Sequence, residues 1–258
     1  MQLLPDAVVL ISGGTQGVGA GVARAAVREG AAVVVTGRRR EPGEALVREL
    51  RETGGTAEYV PADVADVDRA RASVTAAVER FGRVDCLVNA AGLTSRGTLL
   101  DTTPELFDQH IAVNLRGPFF LMQAVVADLL RRGRPGTIVN IISSAELGGQ
   151  PYLAPYVAAK AGLAGLTRNA AHAHRFDRIR INGIDIGWTE TEGENVVQRA
   201  FHAAADDWAE RAAENLPMGK LGQVDEIADF VVFLLSARSG VVTGSVIDWD
   251  QQVFGGVD

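Results

Sequence analysis

Several residue types that mark whole classes of protein are scarce in this chain. Its 258 residues include one cysteine, Cys86, so no intramolecular disulfide can form. The four histidines and that thiol show no zinc-ligand spacing, and His172 and His174, two apart, would point away from each other on a helix. No metal is expected. Positive charge is in deficit, with 25 basic against 32 acidic residues and a net charge of −7. That leaves no overall basic surface for nucleic acid or anionic lipid. No apolar run approaches the roughly 18 residues of a membrane span. Residues 1–12 are too short and too acidic for a secretory leader, and Pro5-Asp6 interrupts them. No repeat of fixed period and no compositional linker divides the chain. A soluble, cytoplasmic protein with no nucleic-acid or membrane partner is expected. Lysine is the scarcest charged residue: of the 25 basic residues only Lys160 and Lys220 are lysines, and 23 are arginines.

What is present is an ordinary globular composition, 47% apolar and 22% charged. Short β-branched runs at 7–11, 32–36, 57–60, 84–89, 137–142, 179–184 and 245–249 read as strands. Between them lie helical patterns at 18–29, 44–53, 66–81, 104–132 (one long helix or two short ones), 156–175 and 225–235. Strands apolar on both faces that alternate with helices predict an α/β fold: a doubly wound, seven-stranded parallel sheet with helices on both faces. One domain, 1–258, is expected, with a single irregular insertion at 188–218 that would act as a lid over the site.

The first strand is followed by Ser12-Gly13-Gly14-Thr15-Gln16-Gly17-Val18-Gly19 and then a helix. Glycines at such a turn let the backbone approach a pyrophosphate, and the helix N-terminus offers free N–H groups to the anion. Tyr156 and Lys160 are four residues apart in a helical stretch and so share one face. A phenol titrates near 10, and a neighbouring ammonium would bring it toward the working range. A chain that nearly always chooses arginine yet keeps Lys160 there points to a demand for a compact ammonium.

These motifs resemble those of the short-chain dehydrogenase/reductase family, whose single-domain members carry T-G-x-x-x-G-x-G; here Ser12 stands for the Thr. The resemblance covers essentially the whole chain and implies a Rossmann-type fold. By it, Ser12, Gly13, Thr15, Gln16, Gly17, Val18 and Gly19 would bind a dinucleotide. Asp63-Val64 resembles the adenine-contacting pair, and Asn89-Ala90-Ala91-Gly92 resembles N-N-A-G, with Ala90 replacing Asn. Asn114, Ser143, Tyr156 and Lys160 fall at the family's catalytic spacings. Ser143 would hydrogen-bond the substrate oxygen, and Asn114 would hold a water behind Lys160. Ile186-Gly187-Trp188-Thr189-Glu190-Thr191 occupies the place of P-G-x-x-x-T, so Gly187, Thr189 and Thr191 would hold the nicotinamide carboxamide, with Ile186 departing from Pro.

NAD-preferring relatives place Asp at the end of the second strand. Here that position is Gly37, followed by Arg38-Arg39-Arg40, which suits a 2′-phosphate; NADP(H) is expected, with Arg38 its main contact and NAD(H) the alternative. Ser95, Glu146, Gln150 and Trp188 are the candidate substrate residues, with Glu190 nearby. The stretch 190–214 holds seven acids against Arg199 and Arg211, which should repel anionic acyl carriers. The expected function is interconversion of a secondary alcohol and a ketone on a neutral polyol, sugar or cyclic ketone. A 3-oxoacyl-type reductase and a non-catalytic dinucleotide-sensing regulator are the alternatives. Residues 118–130 are apolar nearly all round, so a homodimer or homotetramer is expected.

Overall fold

Strand formation follows the β-branched runs closely. The computed structural model describes residues 2–202 and 204–253, so the ends of the expected 1–258 domain and residue 203 in the insertion lie outside the described residues. The strands are β1 (Val8–Ser12), β2 (Ala32–Gly37), β3 (Thr56–Pro61), β4 (Cys86–Asn89), β5 (Gly136–Ile141), β6 (Ile179–Ile186) and β7 (Val246–Trp249). All pair in parallel, in the order β3-β2-β1-β4-β5-β6-β7. The order reverses between β1 and β4, and a crevice opens there beyond the carboxyl ends of the strands.

The helices are α1 (Gly17–Arg28), α2 (Arg40–Glu52), α3 (Val67–Phe81), α4 (Pro104–Ile111), α5 (Gly117–Arg132), α6 (Ala154–His174), α7 (Glu192–His202), α8 (Trp208–Glu214) and α9 (Val224–Leu235). Alternate strand residues face opposite layers. Val9, Ile11, Val33, Val35 and Ile184 pack with Val22 of α1, Leu46 of α2 and Val231 of α9. Leu10, Val34, Leu87, Ile138 and Ile181 pack with Val74 of α3, Leu121 of α5 and Ala171 of α6. Removing each fully buried Leu or Ile from water contributes about 1.5–3 kcal/mol. Helices α1 and α9 approach closely because Gly21 leaves room: a Cβ there would lie 2.3 Å from Val224 Cγ1.

Three details depart from expectation. First, residues 104–132 are neither one regular helix nor two separate ones. Helices α4 and α5 are joined by a π-type turn, Ala112–Arg116, in which the Gly117 N–H reaches back to the Ala112 carbonyl. Second, this makes Pro104–Arg132 a 29-residue helix with a mean hydropathy of 1.2 over its most apolar window, long and apolar enough to cross a membrane by length and composition. The expectation that nothing approaches span length therefore needs correction, although half of that window is buried within the fold. Third, β6 runs on to Ile186, which pairs with Trp249. The ladder to β7 continues through Gly187, whose N–H reaches the Trp249 carbonyl at 3.3 Å.

Candidate active site

The crevice is an elongated cavity of about 1010 Å³ that runs from Arg38 and Arg39 at one end to Trp188 and His202 at the other. Its floor near β1 is glycine backbone. Gly13 has φ +69°, and a Cβ there would lie 2.5 Å from Ala91 Cα; a Cβ on Gly19 would lie 2.3 Å from the Gly13 carbonyl oxygen. Only glycines let these two loops cross at such distances. Helix α1 begins with no side-chain cap, so its first N–H groups remain available at the cavity. Gly13, Thr15, Gln16, Gly17, Val18 and Gly19 all line this end, as do Asp63, Val64, Ala90, Ala91 and Gly92. Ser12 and Asn89 lie beneath the wall, buried. Asn89 Nδ2 donates to Asn140 Oδ1 at 2.8 Å, while Ser12 Oγ and Asn89 Oδ1 have no partner among the described residues. A glycine cradle, a free helix N-terminus and unmatched polar atoms under the floor fit a dinucleotide.

Gly37 ends β2 beneath Thr15: a Cβ there would lie 2.8 Å from Thr15 Cγ2, so an acidic residue could enter only by displacing Thr15. The Gly37 carbonyl accepts the Tyr59 hydroxyl at 2.8 Å. Beyond it Arg39 hydrogen-bonds Gln16, Arg40 pairs with Glu44 at 3.0 Å, and Arg38 lies exposed on the cavity wall.

Helix α6 begins with Pro155 in its first turn and carries Tyr156 and Lys160 on its inner face, 8% and 3% exposed. Lys160 Nζ donates to the Ile141 carbonyl at 2.7 Å and lies 5.6 Å from the centre of the Tyr156 ring. Burial pushes the Tyr156 phenol up to about 12, against a pull from the Ser143 hydroxyl, and burial brings Lys160 down to about 8. Ser143 follows β5, and its Oγ accepts the Ala145 N–H at 3.2 Å, opening the short turn Ser144–Leu147. Ser143 and Ser144 both line the cavity, and it is Ser143 that engages Tyr156.

Asn114 sits in the π-type turn, fully buried. Its Oδ1 accepts the Leu93 N–H at 2.9 Å, and its Nδ2 donates to the Leu93 carbonyl at 3.0 Å and to His110 Nδ1 at 3.3 Å. The carboxamide is thus committed to clamping the loop after β4, so any water at Asn114 would have to be held by its main chain. With Nδ1 accepting, His110 carries its proton on Nε2, which faces the Ser95 carbonyl and hydroxyl at 3.1 Å each. Burial holds His110 below the usual imidazole range. Its ring meets Tyr156 edge-on, 6.2 Å between centroids.

Gly187, Thr189, Thr191, Gln150 and Trp188 line the cavity. Thr189 Oγ1 donates to the Gly187 carbonyl at 2.9 Å, and Thr191 Oγ1 accepts the Glu194 N–H at 3.0 Å to start α7. Trp188 stacks on Trp208 at 5.6 Å and donates through Nε1 to Glu194 at 3.0 Å. Ser95 and Glu146 are not brought to the wall: Ser95 is turned toward His110, and Glu146 lies on the short turn behind it. Glu190 faces a separate shallow recess with Gln223.

Sequence reasoning missed His110, which stands four residues before Asn114 and so shares its helix face. It also missed a cluster at the mouth, where Arg96 reaches His202 Nε2 at 3.2 Å and covers the Tyr152 ring at 5.3 Å. Nothing local marks Arg96 or Tyr152, because the contact joins three distant segments. The Gln251 side chain accepts the Met218 N–H at 2.8 Å and donates to the Lys220 carbonyl at 2.7 Å, anchoring the end of the insertion.

Comparison with known proteins agrees with this geometry. The sequence pattern of the family described as enoyl-(acyl carrier protein) reductase matches residues 13–251. The chain is 35% identical over 256 residues to an L-rhamnose 1-dehydrogenase (NAD(P)(+)) of Azotobacter vinelandii, covering 98% of each chain. It is 34% identical over 248 residues to a 3-oxoacyl-(acyl-carrier-protein) reductase of Thermotoga maritima, covering 96% of this chain and 97% of that one. Among solved structures, an actinorhodin polyketide ketoreductase with NADPH superposes with a TM-score of 0.90 at 32% identity, covering 97% of this chain and 98% of that one.

Proposed function

The chain belongs to the short-chain dehydrogenase/reductase family of oxidoreductases, and from that premise we propose that it interconverts a secondary alcohol and a ketone with Tyr156 as the acid/base. The observation that carries this reading is the buried Tyr156–Lys160 pair, with Ser143 beside it, on the wall of the cavity that the glycine turn also lines. When bound, the nicotinamide dinucleotide supplies or accepts the hydride. The chain's own residues handle the proton. Ser143 and Tyr156 hydrogen-bond the substrate oxygen from one side. At neutral pH the phenol holds its proton and can release it to a developing alkoxide, while the Lys160 ammonium stabilises the phenolate left behind. Loss of the Lys160 proton should remove that help, so the kcat for ketone reduction is expected to fall as pH rises past about 8. A flat profile from pH 7 to above 9 would contradict it.

NADP(H) is the proposed dinucleotide. Support comes from Gly37, where a carboxylate could enter only by displacing the Thr15 side chain, and from the exposed Arg38 guanidinium beside it. Arg38→Ala is expected to weaken NADPH binding by roughly 10- to 100-fold, the value of one charge-assisted contact. NADH affinity should stay unchanged. Fluorescence titration with both dinucleotides checks this, and equal losses for the two would exclude the assignment.

For the substrate, we favour a neutral polyol, sugar or cyclic ketone. The Trp188 face, Gln150 and the acids of the insertion support it, and the A. vinelandii relative is named for a sugar. The second reading is a 3-oxoacyl thioester, favoured by the T. maritima relative and by the cationic Arg96 on the cavity wall. Following dinucleotide absorbance against sugars, cyclic ketones and 3-oxoacyl thioesters separates them. Turnover of thioesters alone would reject the polyol reading. We further propose that the chain is one cytoplasmic domain whose 188–218 insertion closes over the substrate. Assembly as a homodimer or homotetramer is proposed through the outer face of α5, where Phe119 and Leu130 are exposed.

A further inference from the structure

Asp185 has no part in the roles described above, yet it is 1% exposed and its Oδ1 reaches no hydrogen-bond partner among the described residues. It stands on β6 one residue beyond the Ile141–Ile184 pair, beside the chain that leads from β5 into Ser143. Alternation along β6 sets its side chain on the same face as Ile179 and Ile181, the face covered by α6. The carboxyl is therefore enclosed between the sheet and the helix that carries Tyr156 and Lys160.

Such a group is costly to keep. A buried carboxylate with an unmatched oxygen destabilises a fold, and a neutral residue of similar shape would avoid that cost. The groups around it come from every neighbouring element: Lys160 and Arg168 on α6, the Ser143 N–H and Glu146 after β5, and Asp248 on β7. The Ser143 N–H and Arg168 favour its ionised form, while burial, Glu146 and Asp248 oppose it, leaving it at about 7. In so dry a setting its charge acts strongly on neighbours. It favours the protonated form of Lys160 and, in the same direction, of Tyr156.

We infer that Asp185 is a positioning residue for proton transfer: its buried carboxylate beneath α6 holds the Tyr156–Lys160 pair as phenol plus ammonium, the state that donates a proton to a ketone. This rests on the proposed role of that pair, but its central test does not. Lysine scarcity makes the measurement clean, since isotope labelling at lysine Cε gives two signals and Lys220→Arg identifies Lys160. In the wild-type protein without substrate, the Lys160 signal should show its own midpoint near 8 and a second inflection near 7 from Asp185. In Asp185→Asn the second inflection should vanish and the midpoint should fall by about one pH unit.

A single inflection in the wild type, or an unchanged midpoint in Asp185→Asn, overturns the inference; the first of these stands even if the variant fails to fold. Melting separates this role from a structural one. Asp185→Asn should melt at or above the wild-type temperature, because it removes an uncompensated buried charge. The alkaline limb of kcat should move to lower pH with KM unchanged, and a loss uniform across pH would count against the inference. Absence of any turnover in the wild type would defeat the proposed function while leaving the lysine measurement intact.

Discussion

Tyr156→Phe is expected to lower kcat by about 10²- to 10⁴-fold, the contribution of a positioned acid/base, with dinucleotide affinity unchanged. The substitution removes one oxygen. The ring keeps its edge-on contact with His110 and its place beside Lys160, so the packing of α6 should survive. What disappears is the hydroxyl proposed to exchange a proton with the substrate oxygen, the group on which Ser143 acts. Stopped-flow turnover paired with fluorescence titration of NADPH checks both halves. Retention of more than a tenth of the wild-type kcat would remove Tyr156 from the mechanism.

Gly13→Ala should have the second large effect, on binding rather than on chemistry. The residue has φ +69°, which costs an L side chain roughly 1–2 kcal/mol. The larger problem is the Cβ itself, 2.5 Å from Ala91 N and Cα. Those are backbone atoms of the loop after β4 and cannot swing away as a side-chain tip could. The two loops must part, and with them the N–H groups proposed to face the pyrophosphate. Losing two or more such contacts should weaken dinucleotide binding on the order of 100-fold. Gly54→Ala is the control: its φ is +85° but nothing lies within 4 Å, so it should lose stability of about the same local origin and no affinity. Equal affinity in both variants would show that the crossing of the loops does not matter.

The sheet was legible because its central strands, buried on both faces, leave continuous apolar runs; the edge strands β3 and β7 are only partly buried, yet their runs also became strands. Tyr156 and Lys160 were legible because four residues is one turn, a local relation. Gly37 and its arginines were visible as a pattern, but the reason for the glycine was not: Thr15 reaches that position from another loop. Non-local relations account for the other omissions. Ser95 looked like a wall residue because it follows the loop after β4, and His110 draws its hydroxyl away from the cavity. Asp185 stands one residue past the expected strand at 179–184, and its setting depends on α6 and β7 packing around it. The extension of β6 comes from pairing with β7, where Gly187 N–H reaches the Trp249 carbonyl, a non-local relation.

The π-type turn between α4 and α5 changes what a deletion in that interval would do. One residue of an α-helix is a rotation of about 100°, so losing one ordinarily swings everything before it around the axis. The turn between Pro104–Ile111 and Gly117–Arg132 escapes that rule, because its Gly117 N–H closes on the fifth residue back, Ala112, and so already holds one residue more than an α-helical turn. Excising one position from Ala112–Arg116 should restore an ordinary turn and leave the flanking helices in their orientation. The effect would fall on Asn114, whose carboxamide clamps Leu93 from within that widened turn.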